Sequence, residues 1–149
     1  MKLILIILLF FGIVCAEGTP AVSEDDPITE VNALIDNENF PEAVTMLKGL
    51  VAEDDTNPDY YNLLAYSLRN LEQYDSALEH YQRALFLDPE HVGALEYLGE
   101  LYLQTDKLEL AQAQLKELET VETCLAACSE YEELADAIEA YKTTGETSW

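Results

Sequence analysis

Residues 58–91 read PDYYNLLAYSLRNLEQYDSALEHYQRALFLDPEH, and this stretch decides the fold. From Pro58 to Leu71 the apolar residues Tyr61, Leu64, Ala65 and Leu68 keep the spacing of one helical face. Glu72 and Gln73 make a short turn. Asp75 then stands at the start of a second helix, where its carboxylate is expected to take up free N–H groups. Asp88-Pro89 ends that helix, because proline cannot continue it. Small side chains at Ala65 and Ala77 let the two helices approach closely, with Tyr74 and Tyr81 filling the space beside them.

The same pattern recurs on both sides at a fixed interval of 34 residues. Phe40, Tyr74 and Leu108 form one column, and Ala43, Ala77 and Ala111 a second. Leu47, Tyr81 and Leu115 follow, then Leu50, Ala84 and Leu118. Leu34, Leu68 and Tyr102 make a fifth set, and Val31, Ala65 and Gly99 a sixth. In the third unit Gly99 and Ala111 are expected to allow the helix approach, with Leu108 and Leu115 as filling. The chain resembles the tetratricopeptide repeat family through Leu64, Ala65, Tyr74, Ala77, Tyr81, Ala84 and Pro89 in residues 58–91. Residues 92–125 match through Leu98, Gly99, Tyr102, Ala111 and Leu115, although Leu118 replaces a small residue and the closing proline is missing. Residues 28–57 are a degraded first copy, with a short first helix and Asp55 in place of the closing proline.

From Ser129 the sequence SEYEELADAIEAYK leaves the columns. Ser129 with Glu132 has the form of a capping box, and Tyr131, Leu134, Ile138 and Tyr141 make an apolar stripe. A repeat stack leaves an apolar end face, which an amphipathic helix can cover. The expected fold is therefore all-α: a right-handed superhelix of three helix hairpins plus a capping helix over residues 129–142.

The chain has 149 residues, with 30 acidic and 7 basic side chains and a net charge of −23. That balance excludes a general nucleic-acid binder and a polybasic membrane-surface protein. Met1 and Lys2 precede an apolar run, Leu3 to Ala16, ending Val14-Cys15-Ala16. It is too short for the roughly 20 residues of a membrane span and has the form of a secretory signal peptide over residues 1–16. Val14 before Cys15 argues against lipid attachment. Cleavage of 16 of the 149 residues would leave 133, with a charge of about −24 and no membrane segment. The expected location is exported: periplasmic first, and otherwise secreted. Residues 17–27 read as an acidic leader and residues 143–149, with Trp149, as a tail.

Cys124 and Cys128 remain after cleavage, an even pair suited to an oxidising compartment. They fit a structural disulfide stapling an interhelix turn. Free thiols, or thiol–disulfide and metal chemistry, stay open as alternatives, although the spacing is not that of a two-residue redox motif. His80 and His91 read as surface residues, His80 on an outer helix face and His91 in a turn. No serine motif or glycine-rich phosphate loop accompanies them, so neither catalysis nor a cofactor is expected. Asp55, Asn57 and Asp59 open like a calcium loop, but Tyr60 and Tyr66 occupy its glycine and closing glutamate positions.

The family resemblance implies a concave surface lined by the first helix of each pair, holding an extended peptide or a partner helix. Its lining here would be Asp59, Asn62, Tyr66 and Arg69, then Glu96, Glu100, Leu103 and Gln104. The family's carboxylate clamp needs several cations, whereas only Arg69 and Asn62 match, and Gly93 and Tyr97 stand at later clamp positions. A protein or peptide partner of basic or neutral character is expected, with no metal. Self-association through the end face or groove is the remaining option.

Overall fold

A computed structural model describes residues 26–124 and 128–147. The expected signal peptide, the expected leader up to residue 25 and Trp149 lie outside the described residues. Among those described, the chain is entirely helical: α1 (Pro27–Asp36), α2 (Phe40–Glu53), α3 (Pro58–Asn70), α4 (Tyr74–Leu87), α5 (Val92–Gln104), α6 (Leu108–Leu118) and α7 (Ser129–Thr144), with a short 3₁₀ turn at Glu122–Cys124. Helices α1/α2, α3/α4 and α5/α6 form three antiparallel hairpins, each stacked on the next, and α7 packs on both α5 and α6. They wind as a superhelix with α1, α3, α5 and α7 as its inner row.

The 34-residue columns become the core. Val31, Ala65, Ala43, Ala77, Leu47 and Tyr81 are sealed from solvent in one cluster with Leu64, Leu68, Leu98 and Leu101. A second cluster joins Leu95, Leu103, Ala111 and Leu118 to Val121, Cys124, Leu134, Ala137 and Ile138. The apolar stripe of α7 thus closes the stack as expected, and Tyr131 and Tyr141 donate their hydroxyls to Glu119 (3.2 Å) and Asp106 (2.8 Å).

The periodicity extends to a feature with no apolar signal. Glu38, Glu72 and Asp106, again 34 apart, all adopt left-handed backbone with φ of 57°, 57° and 58°. After each, the amides of Asn39, Gln73 and Lys107 donate back to the carbonyls of Leu34, Leu68 and Tyr102 at 2.8–2.9 Å. This is the hydrogen bond of a Schellman turn, which ends one helix and launches the next with a single left-handed residue.

Several local expectations need correction. Asp75 does not cap α4: Gln73 is the capping residue and no side chain bonds there. Asp75 already lies inside the first helical turn, where its carboxylate acts only through the positive end of the helix dipole. The Ser129–Glu132 capping box does not form either. Ser129 is the first helical residue, Cys128 is the cap, and the Ser129 hydroxyl bonds Glu130 instead. Asp26 and Pro27, read as leader, begin α1, since the Asp26 carboxylate accepts from the amide of Ile28. Thr143 and Thr144, read as tail, complete α7, which stops at Gly145 with φ of 73°. The small residue at Gly99 serves α7: a Cβ there would sit 2.6 Å from Leu134 Cδ2.

Candidate functional site

Helices α3, α5 and α7 lie side by side along the inner row. The eight residues expected to line it fall into three separate places. Asp59, exposed in the first turn of α3, meets His91 Nε2 at 3.0 Å. His91 Nδ1 in turn accepts from the amide of Ala94 and caps α5. His91 is therefore a half-buried joint between two repeats and not the surface turn residue expected. His80 is also half-buried, with its ring 6.0 Å from that of Tyr61, and burial lowers its pKa. Leu103 and Gln104 lie at the far end of α5. Leu103 belongs to the core beneath α7, so it offers a ligand no side-chain surface of note. Beside it Gln104, Asp106, Tyr141 and Glu146 edge a distinct open cleft.

The centre holds the other five. Helical spacing puts Asn62, Tyr66 and Arg69 on one face of α3, and Glu96 and Glu100 on the facing side of α5. Arg69 Nη2 donates to Glu100 Oε2 at 2.8 Å, and the pair is almost wholly withdrawn from water. Its guanidinium carbon stands 5.4 Å from the Tyr66 ring centroid and 5.8 Å from that of Tyr97. The two rings are 4.9 Å apart, and Phe40 extends the row at 6.3 Å from Tyr66. Two electron-rich ring faces and one carboxylate together hold the cation in a site of low dielectric.

Glu96 is the most unusual member. It is 2% exposed, and its Oε1 meets no donor. Burial, then the Glu100 charge, a hydrogen bond with Glu133, and the charges of Glu133 and Glu130 push its carboxyl up to about 9. At neutral pH it is a carboxylic acid. Glu100 is also raised, by burial, with Arg69 opposing. Burial and the charge on Glu96 push the Tyr97 phenol up to about 12. Asn62, 7% exposed, leaves its Oδ1 without a donor, while Arg69 Nε and Nη1 leave theirs without an acceptor.

Sequence reasoning missed Glu130 and Glu133, because α7 reads as a cap whose apolar stripe explains it fully. Tyr97 was noticed only as the absence of a clamp cation. The spacing Tyr66–Tyr97 is three short of the 34-residue repeat, about one helical turn, and is the signal that would have placed both rings on neighbouring inner helices.

At the second candidate, Cys124 and Cys128 have Cα atoms 4.7 Å apart, within the range for a disulfide, and their sulfurs are at bonding distance. Cys124 is buried with Leu95, Val121 and Leu134, and Cys128 caps α7. The bridge therefore sits at the hinge through which α7 meets the stack.

Residues 36–118 match the family model described as anaphase-promoting complex, cyclosome, subunit 3. A TPR repeat-containing protein of Methanocaldococcus jannaschii is 32% identical over 127 residues; the match takes in 80% of this chain and only 22% of the relative. Among solved structures, the Yersinia enterocolitica type III secretion chaperone SycD, in complex with a peptide of the translocator YopD, superposes with a TM-score of 0.66. It is 19% identical, and the match covers 80% of this chain and 92% of SycD. The first TPR of Spaghetti, bound to an HSP90 peptide, gives 0.67 at 17% identity, covering 79% and 91%. Those structures share the hairpin stack described above, and the family model spans more than half of the sequence: the chain belongs to the tetratricopeptide repeat proteins.

Proposed function

We propose that this chain is a non-catalytic interaction module of an exported, periplasmic compartment, and that its inner face holds an extended segment of a basic partner protein. The observation that carries the reading is the inner-face cluster itself. Tyr66 and Tyr97 offer half-buried ring surface, and the groups around them leave hydrogen-bonding capacity unused. Rigid aromatic surface beside unsatisfied polar groups is how a protein gains both affinity and orientation. Two neighbours of the same fold carry peptides, SycD one of YopD and Spaghetti one of HSP90. The acid excess supports a basic partner, and the apolar N-terminal run with the Cys124–Cys128 pair supports export and a structural disulfide.

The test is capture from an exported protein fraction with three forms of the chain. Wild type and a Phe86→Ser control, altered at a side chain 75% exposed on α4, should retain the same partner. A Tyr66→Ser/Tyr97→Ser form of unchanged helicity should lose it. Equal capture by the double variant, or loss in the control, would refute the inner face as the working surface.

A further inference from the structure

Three acidic side chains meet at the centre of the inner face, Glu96 and Glu100 from α5 and Glu133 from α7, and Glu130, beside the Cys124 and Cys128 sulfurs at the start of α7, adds its charge. Among the described residues one cation is paired there, Arg69, and Glu100 already engages it. The rings of Tyr66 and Tyr97 stand beside that ion pair. Two buried acceptors on this face, Glu96 Oε1 and Asn62 Oδ1, have no donor. They come from different helices: Asn62 Nδ2 lies 3.3 Å from where a Cβ on Gly93 would be, one helical turn before Glu96. Glu133 is exposed and Glu130, Tyr66 and Tyr97 are half-buried, so the outer members of the cluster reach solvent.

From this geometry we infer that Glu96, Glu100 and Glu133, with the charge of Glu130 behind them and walled by Tyr66 and Tyr97, form a socket for one lysine side chain of the bound segment. The inference rests on the inner face being the binding surface, and it gives α7 a share of the site beyond closing the stack. An ammonium group brings three donors and a charge, which is what two donorless acceptors and a surplus of carboxylates lack. Ring faces beside them add cation–π attraction. A ligand carboxylate seeking the free N–H groups of Arg69 would enter against the field of Glu100, Glu130 and Glu133.

The empty socket keeps a proton on Glu96, which an arriving ammonium replaces. Binding is then an exchange: the lysine enters as the cation, Glu96 becomes carboxylate, and its proton goes to the buffer. The groups facing Glu96 are Glu100 and Tyr97 on α5 and Glu130 and Glu133 on α7. Arg69, which faces Glu100, also acts on Tyr81 of α4. Ligand lysine stays charged to about pH 10, so between pH 6.5 and 8.5 its affinity rises about tenfold per unit.

The experiment uses three blocked pentapeptides, acetyl-Ala-Ala-X-Ala-Ala-amide with X as lysine, norleucine or glutamate. Each is titrated while the ring signals of Tyr66 and Tyr97 are followed by NMR at pH 6.5 and 8.5. The lysine peptide should shift those signals and bind at least tenfold tighter at the higher pH, with norleucine at least tenfold weaker than lysine there. Glu96→Gln, which resembles the protonated acid and so preserves the empty fold, should abolish the pH dependence. Norleucine binding as tightly as lysine overturns the socket and leaves the inner-face reading standing. Tighter binding by glutamate, or a lysine affinity indifferent to pH, also overturns it. If no peptide moves the Tyr66 and Tyr97 signals, the socket is refuted together with the inner-face reading.

Discussion

Glu96→Gln should make the fold more stable, and by an amount that grows with pH. In the folded chain the Glu96 carboxyl is raised from 4.5 to about 9, chiefly by burial and by the neighbouring Glu100. The folded state therefore keeps a proton that the unfolded chain releases above pH 4.5. Stability from this group is complete below that pH and drains away as the pH climbs towards 9. Each unit in that window withdraws up to about 1.4 kcal/mol, or about 3 kcal/mol by pH 7. Water at the mouth of the cluster screens part of this, so about 2 kcal/mol is the expected loss at pH 7. Glutamine fills the same space with no proton to release. The variant should match wild type near pH 4.5 and melt about 8 °C higher at pH 7, taking about 4 °C per kcal/mol for a domain of this size. Thermal unfolding followed by circular dichroism from pH 4.5 to 8.5 at low salt gives both curves. Glu100 stays in both proteins and largely cancels from the difference. A gap between the curves that does not widen with pH would refute the buried-acid argument.

Two glycines should respond in opposite directions. Gly99→Ala drives a methyl against both Leu134 methyls, at 2.6 and 2.7 Å, and should cost about 1–3 kcal/mol, with hydrogen-exchange protection lost first in α7. Gly49→Ala meets nothing within 4 Å inside α2 and should raise stability by about 0.5–1 kcal/mol in denaturant titration. Glu72→Gly relieves a left-handed side chain at φ 57° and should also stabilise, by about 0.5–1 kcal/mol after the entropy of the freer unfolded chain is deducted. A Glu72→Gly protein that melts below wild type would show that its side chain holds the turn.

The hairpins were legible because core residues repeat by type: Ala43, Ala77 and Ala111 declare a close helix contact whichever copy is read. The turns were not, because Glu38, Glu72 and Asp106 carry no glycine-like mark of left-handed backbone. Their conformation is imposed by the two helices that each of them joins. The helix starts were misread for a related reason. Asp75 and Ser129 have the right chemistry for caps but stand one or two residues inside their helices, beyond the reach of the free amides. For the site, the family resemblance named Asn62, Tyr66 and Arg69, and helical spacing keeps them together, since one helix carries all three. Helical spacing could not disclose that α7 would seal Leu103 and bring Glu130 and Glu133 to Glu96, because that depends on how two distant helices dock. A surface that reads as uniformly acidic thus contains one acid different in kind from the others.

The inner row of α1, α3, α5 and α7 also sets a ruler. Packed helices stand about 9 Å apart, so four of them present a track about 27 Å across. An extended chain advances about 3.3 Å per residue, which makes the track about eight residues long. On the proposed function, a partner needs only one short unstructured stretch, such as a terminus or an exposed loop, to fill that track.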